Sequence, residues 1–565
     1  MVSIARCVNV GCVMANPLLR WHQRFRIAAG SSSRKACMSH LLTVSDAIAT
    51  HARLQPHKIG TRDSKRALSY ADWHDRATRL ASGLLSLGLL PGERVLVLAY
   101  NCIEWMEIYV ALARAGLVAV PVNFRLLAPE IAYIADHSGA SALIVQDELL
   151  ERVETLRANA DIAADRWIHF GRPGAATPAG WQAYEALIAR AATSTPARPV
   201  KPQDPFALMY TSGTTGRPKG AIRNHEGNAL LALATALAFG FSRDDTGLLV
   251  MPLCHANSLY FGLTFMYLGA TIVIDDRKSF DPEGLLATLA RDKVTFTSLV
   301  PTHYIMMLAL PDAVKAAYDV SAVGKLLVSS APARKDTKLA ILAHFANSRL
   351  FELYGATETG WVTLLRPEEQ IERLGSVGRE WAGSGAIRML DADGIEVPDG
   401  EVGELFSRTA YVFDGYWQNA EKTAEAFRGE WCSVGDMARR DADGYIHLVD
   451  RKSNMIISGG ENIYPSEVEG VLGGFAAVKD VAVIGIPDAV WGEAVTAVVV
   501  LHDGQQATEA ELLGWCRERL AGYKRPRSVV FIADADMPRT ATGKIVHRLL
   551  RERIAALHRP EQQPS

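Results

Sequence analysis

Tyr210 to Gly220 reads YTSGTTGRPKG. These eleven residues hold four aliphatic hydroxyls, three glycines, one proline and one lysine. Glycine lets backbone amides approach a ligand closely, and the hydroxyls with Lys219 add further donors. The segment therefore reads as a flexible phosphate-binding loop. It is not a Walker loop: five residues on from Gly213 stands Pro218, and no Gly-Lys-Ser/Thr triplet follows. A polar surface turn has the same composition, so the rest of the chain decides between the two.

Four further motifs follow in order: YGATE at Tyr354 to Glu358, SVGD at Ser433 to Asp436, DRKSNMIISGGENIYP from Asp450, and PRTATGK ending at Lys544. With the loop they resemble the adenylate-forming superfamily, the AMP-dependent synthetases and ligases. That superfamily includes acyl-CoA synthetases, luciferases and the adenylation domains of peptide synthetases. The resemblance spans roughly residues 40–558. One such motif is a weak signal, whereas five in the right order are a strong one.

At 565 residues the chain exceeds one hydrophobic core, so two or more domains are expected. Hydrophobic residues make up 49% and charged residues 22%, ordinary values for a globular enzyme. The net charge of −2 supplies no basic field for nucleic acid or an anionic membrane. The 7 cysteines (Cys7, Cys12, Cys37, Cys102, Cys254, Cys432 and Cys516) are scattered without a CxxC, which points to a reducing compartment and no zinc site. No apolar run reaches the length of a membrane span; the nearest, Ala229 to Phe241, reads as a buried helix. Residues 1–38 form an acid-poor, Arg- and Ser-containing extension. It is either a mitochondrial transit peptide or an upstream extension with folding beginning near Met38, so the expected location is cytoplasmic, or the mitochondrial matrix if the segment is a transit peptide.

Periodicity predicts an α/β fold. Tyr70, Trp73, Ala77, Leu80, Leu84 and Leu87 recur at helical spacing, Ser69 with Asp72 suggests a capping box, and Gly88 and Pro91 end the helix. Short apolar strands follow at Val95 to Tyr100, Ala142 to Gln146, Thr271 to Asp275, Phe296 to Val300 and Lys325 to Ser330. A helix opens on Asp281 as cap, with Pro282 at its first position. Strands alternating with helices imply parallel sheets covered on both faces. After Asp450 the character changes to two long apolar strands, a helix with Leu512, Leu513, Cys516 and Leu520, a further strand and a terminal helix from Ile545. The expectation is a large AMP-binding domain over 39–450 and a smaller mobile α+β domain over 451–565. The resemblance implies the same boundary, with a hinge at Lys452 and Ser453. Relatives usually carry Asp or Lys where Ser453 stands.

Activating a carboxylate with ATP sets one anion against another. It requires phosphate clamps, a divalent cation, a nucleotide pocket and positive charge at the α-phosphate. The resemblance implies that Thr211, Ser212, Gly213, Thr214, Thr215, Gly216 and Lys219 hold the β- and γ-phosphates, and that Thr357 contacts the α-phosphate. Glu358 is the natural Mg²⁺ ligand, because that ion usually takes one or two carboxylates plus phosphate oxygens and water. Tyr354 offers an aromatic face for adenine and Ser330 a facing wall, where relatives more often have glycine. Asp436 suits a bidentate grip on the ribose hydroxyls, and Arg451 matches the family's second ribose contact. Lys544 corresponds to the lysine that bridges carboxylate and α-phosphate during adenylation, a compact charge on a stem long enough to insert and withdraw. Gly459 and Gly460 match the segment that swings in to line the pantetheine tunnel for CoA.

By position, His255, Asn257, Ser258, Thr302, His303, Ser330 and Trp361 line the acyl pocket. The segment MPLCHANS is neutral and lacks the acid with which amino-acid-activating relatives bind an ammonium, which argues for a simple carboxylic acid. The expected activity is an ATP-, Mg²⁺- and CoA-dependent acyl-CoA synthetase acting on a fatty, aryl or alicyclic acid, with Trp361 and Ser330 favouring a pocket too short for very long chains. The alternatives are an acyl-AMP ligase that serves a carrier protein, oxygenation as in luciferase, or a nucleotide-binding scaffold without activity. No nucleic-acid partner is expected, and a homodimer is compatible with this reading.

Overall fold

The computed structural model describes residues 43–171, 176–193, 200–211, 217–329, 333–458, 461–488, 490–540 and 543–557. Ser212, Gly213, Thr214, Thr215, Gly216, Ser330, Gly459, Gly460 and the extension 1–38 lie outside the described residues.

The Tyr70–Ser86 helix starts where its cap predicts: Ser69 and Asp72 form a reciprocal capping box, and Gly88 turns the chain away at φ 79°. Its inner face (Tyr70, Trp73, Ala77, Leu80, Leu84) is buried, and two polar tips are satisfied there. Tyr70 Oη donates to the Ala270 carbonyl at 2.6 Å and Trp73 Nε1 to the Met106 carbonyl at 3.0 Å. Asp281 caps the Pro282–Arg291 helix by accepting from the Gly284 amide. The predicted strands are present with ends shifted by one or two residues, at Arg94–Leu98, Ala140–Gln146, Thr271–Ile274, Phe296–Leu299 and Lys325–Val328.

Among the described residues the strands form four sheets. One has 7 strands and one 8, mainly parallel, and each ends in an antiparallel edge pair. The pair Pro205–Thr211 with Lys219–Asn224 flanks the phosphate loop. The pair Arg349–Ala356 with Gly360–Leu365 carries YGATE into its turn. The strand pairs that bracket the two motifs thus lie at the edges of two different sheets. The turn demands glycine at both ends: a Cβ on Gly355 would sit 2.2 Å from the Gly360 carbonyl oxygen, and Gly360 itself has φ 65°.

A third, antiparallel sheet of 6 strands spans Ile387–Leu390 to Ile446–Arg451, and periodicity gave no sign of it. Its register sets Asp436 directly across from Arg451. The fourth sheet lies wholly after the Ile446–Arg451 strand, with the long hairpin Val478–Asp488 and Gly492–Leu501 at its centre. It is packed by the Pro465–Leu472, Glu509–Arg517 and His547–Leu557 helices around its own apolar clusters.

The run Ala229–Phe241 requires a correction. It forms the His225–Phe239 helix, but Leu233 and Leu237 are 50% and 78% exposed, so the helix is half-buried despite its apolar composition. Its buried side joins an aromatic core in which Phe239 meets Phe351 at 4.6 Å and Phe261 meets Phe296 at 4.7 Å between ring centroids. No helix of the described residues is long and apolar enough to cross a membrane.

Candidate active site

Thr211, at the end of the Pro205–Thr211 strand, and Tyr416 converge on Glu358. This buried carboxylate accepts from Thr211 Oγ1 at 3.0 Å and from Tyr416 Oη at 2.9 Å, both on Oε1. The Lys219 ammonium lies 4.2 Å from the centre of the Tyr416 ring. Burial pushes the Lys219 pKa down, and the charge of Glu358 acts against that shift. Thr211 and Glu358 thus come together across 147 residues of sequence, with Lys219 beside them on Tyr416.

The second cluster forms on the antiparallel sheet. Asp436 accepts from Tyr354 Oη at 2.5 Å on Oδ2 and from Arg451 Nε at 3.0 Å on Oδ1. Burial, then the Asp436 charge, raises the Tyr354 pKa well above that of an ordinary phenol. Asp436 is also the leading cause of a raised Arg451 pKa. Both Asp436 oxygens are thereby oriented by protein donors.

Lys544 sits in a turn closed by its own amide on Thr540 Oγ1 at 3.1 Å, with Gly543 at φ 83°. The residue as a whole is exposed. Its ammonium end is nonetheless crowded by protein: burial, then the positive charge of Arg451, lowers its pKa, while Asp436 opposes them. Lys544 is therefore within electrostatic reach of the Asp436–Arg451 pair.

The residues assigned to the acyl pocket occupy different surroundings. His255 caps the Ala256–Leu268 helix by position without a side-chain bond, and its buried Nε2 has no hydrogen-bond partner among the described residues. Burial lowers its pKa to about 4, with Arg125 acting in the same direction. His303 stacks on Phe280 at 4.0 Å and is likewise lowered to about 4, so both rings are neutral at pH 7. Asn257 Nδ2 donates to Ser329 Oγ at 3.1 Å. Trp361 is buried, donating from Nε1 to Thr235 Oγ1 at 2.9 Å and packing edge-on to Tyr260 and tilted against Phe261. Ser258 is used elsewhere, donating to the Met251 carbonyl at 2.6 Å inside the core. Thr302 is exposed on the first turn of the Pro301–Leu308 helix. At the predicted hinge, Lys452 Nζ pairs with Glu404 at 2.9 Å, and Ser453 is exposed in the turn that follows.

Tyr416 and Arg223 escaped the sequence reading. Tyr416 reaches the site through an isolated bridge to Ala221, a contact that no local pattern encodes. Arg223 carried a readable signal: strand alternation places it on the same side as Lys219.

Residues 48–417 match the family described as AMP-binding enzyme, and residues 467–544 match the AMP-binding enzyme C-terminal domain. The chain belongs to the AMP-binding enzyme family. It is 38% identical to a feruloyl-CoA synthase of an Amycolatopsis species, covering 89% of this chain and 97% of the relative. It is 35% identical to an indoleacetate–CoA ligase of Aromatoleum aromaticum, covering 91% and 98%. Among solved structures, the anthranilate CoA ligase AuaEII in complex with anthranoyl-AMP superposes with a TM-score of 0.81 at 28% identity, covering 91% of this chain and 98% of that one. The protein is accordingly an ATP-dependent acyl-CoA synthetase, which activates a carboxylic acid as acyl-AMP with release of pyrophosphate and transfers the acyl group to CoA.

Proposed function

We propose that the cluster around Glu358 is the phosphate and metal end of the active site and the Asp436 cluster its ribose end. The observation that carries this reading is the convergence of Thr211, Lys219, Tyr416 and Glu358. One carboxylate among neutral donors and a lysine fits Mg²⁺, which is held largely through phosphate oxygens and water. Glu358 would hold that ion, and the ion would neutralise charge on the transferring phosphate. Lys219 and Thr211 bind the β- and γ-phosphates, Thr357 the α-phosphate, and Asp436 with Arg451 the ribose. Lys544 then stands where the acid's carboxylate approaches the α-phosphate. Its position beside Asp436 and Arg451 supports the adenylation arrangement of the 451–565 domain. Lys544 must withdraw before a thiol takes its place, and the turn after Arg451 is where the chain would rotate.

The acid we propose is an aryl or arylacetic acid. Trp361, packed on Tyr260 and Phe261 and tied to Thr235, supports a short, closed aromatic pocket. The ferulate, indoleacetate and anthranilate named for the relatives support the same class. Two expectations follow. In hydroxamate trapping, cinnamic- and arylacetic-type acids are activated strongly, while amino acids and very long fatty acids are activated weakly; strong activation of an amino acid alone would sink the reading. Replacing Trp361 by Leu should open the closed end and raise kcat/KM for straight-chain acids about tenfold relative to aryl acids, since each methylene accommodated is worth about 1–3 kcal/mol. An unchanged ratio would place Trp361 outside the pocket.

A further inference from the structure

Lys219, Ala221 and Arg223 share one face of the Lys219–Asn224 strand, because strand side chains repeat every second residue. One end of that face carries Lys219 over Tyr416. At the other end Arg223 is 1% exposed, and its Nη1 donates to the carbonyl oxygens of Thr357 at 3.4 Å and Glu358 at 3.3 Å. The guanidinium lies 5.3 Å from the centre of the Tyr260 ring, whose electron-rich face favours a cation. Tyr260 Oη also donates to the Thr357 carbonyl, at 2.9 Å. The Glu358 and Thr359 carbonyls are held in addition by the Phe413 amide and Thr409 Oγ1, both at 2.7 Å.

Three successive carbonyls of the YGATE turn are therefore fixed by donors from outside it. A buried guanidinium is costly to maintain unless its donors are well used, and Arg223 Nε and Nη2 have no hydrogen-bond partner among the described residues. A strut selected for stability alone would more readily be apolar here. What the charged group adds is direction: one nitrogen, Nη1, is shared between two adjacent carbonyls.

We propose that Arg223 and Tyr260 are positioning residues for adenylation, jointly fixing the Thr357–Glu358 backbone against the strand that carries Lys219. Neither touches a reacting atom. Both act through the placement of Thr357 and Glu358, so the proposal rests on the roles given to those two residues above. Groups that orient a metal ligand from behind typically alter metal affinity or activity by about 10- to 100-fold when removed.

The test compares Arg223→Met, Arg223→Lys, Tyr260→Phe and Glu358→Gln in the full-length chain. Acid-dependent ATP–pyrophosphate exchange is measured across a Mg²⁺ series, and thioester formation is measured from synthetic acyl-adenylate and CoA. Arg223→Met and Tyr260→Phe should lower the kcat of exchange by about 10- to 100-fold and raise the Mg²⁺ concentration at half-maximal rate. Arg223→Lys should recover part of both losses, and thioester formation from acyl-adenylate should persist in all three. If Arg223→Met fails to fold, Tyr260→Phe, which removes one oxygen, and Arg223→Lys carry the test. Equal loss of both half-reactions, or an unchanged Mg²⁺ dependence beside an inactive Glu358→Gln, would overturn the proposal. A fully active Glu358→Gln enzyme would instead overturn the metal assignment on which it rests.

Discussion

Lys544→Ala is expected to lower thioester formation from acid plus ATP by about 10²–10³, or roughly 3–4 kcal/mol, while largely sparing thioester formation from supplied acyl-adenylate. The lysine charge is useful where charge builds between the incoming carboxylate and the α-phosphate, an interaction realised mainly in the adenylation transition state. Its ammonium feels the charges of Asp436 and Arg451. Burial and Arg451 lower its pKa, which means the required proton is lost at a lower pH than for a free lysine. The alkaline limb of adenylation should accordingly fall below the usual lysine range, and Lys544→Arg should move that limb upward. The measurement is thioester yield from the two starting points over a pH series. Equal loss from both would remove Lys544 from adenylation and with it the alternation of the 451–565 domain.

Glu358→Gln should keep the fold and lose Mg²⁺-dependent adenylation by a similar factor, about 10²–10³. The side chains are nearly isosteric, and an amide oxygen still accepts from Thr211 and Tyr416. What disappears is the charge that opposes the lowered Lys219 pKa and attracts a hard cation. Pyrophosphate release across a Mg²⁺ series, with circular dichroism to follow the fold, tests this. Normal release by the folded variant would place the metal ligand elsewhere.

Local signals served the parallel sheets well. Ser69 with Asp72, and Asp281 with Pro282, fixed helix starts because caps act over three or four residues. The antiparallel sheet from Ile387 to Arg451 was illegible: Phe427–Arg428 and Trp431–Cys432 form a hairpin of two-residue strands, too short for any alternation to show, which joins the sheet only where Cys432 pairs with Ser407. The candidate site divides along the same line. Glu358, Asp436 and Lys544 stand in recognisable motifs, whereas Tyr416 reaches Glu358 across 58 residues, a distance no sequence window spans; for Arg223 alternation gives the side of its strand but not its partner 135 residues on. Ser258 and Thr302 show a third limit. Each lies beside plausible lining residues, but the turn of its helix directs one into the core and the other to solvent.

An acyl-adenylate is a mixed anhydride, and thiolates attack such compounds readily; two cysteines of this enzyme lie near candidate site residues. Cys254 adjoins His255, and Cys432 is close enough to Glu358 to feel its charge. Both thiols are buried, and burial holds each pKa up at about 12, so neither ionises under physiological conditions. Cys102 and Cys516 are buried as well. A neutral thiol is a poor nucleophile, and these four side chains cannot intercept the activated acyl group. The intermediate is thereby protected from capture by these four thiols, and the acyl group passes to the sulfur of CoA.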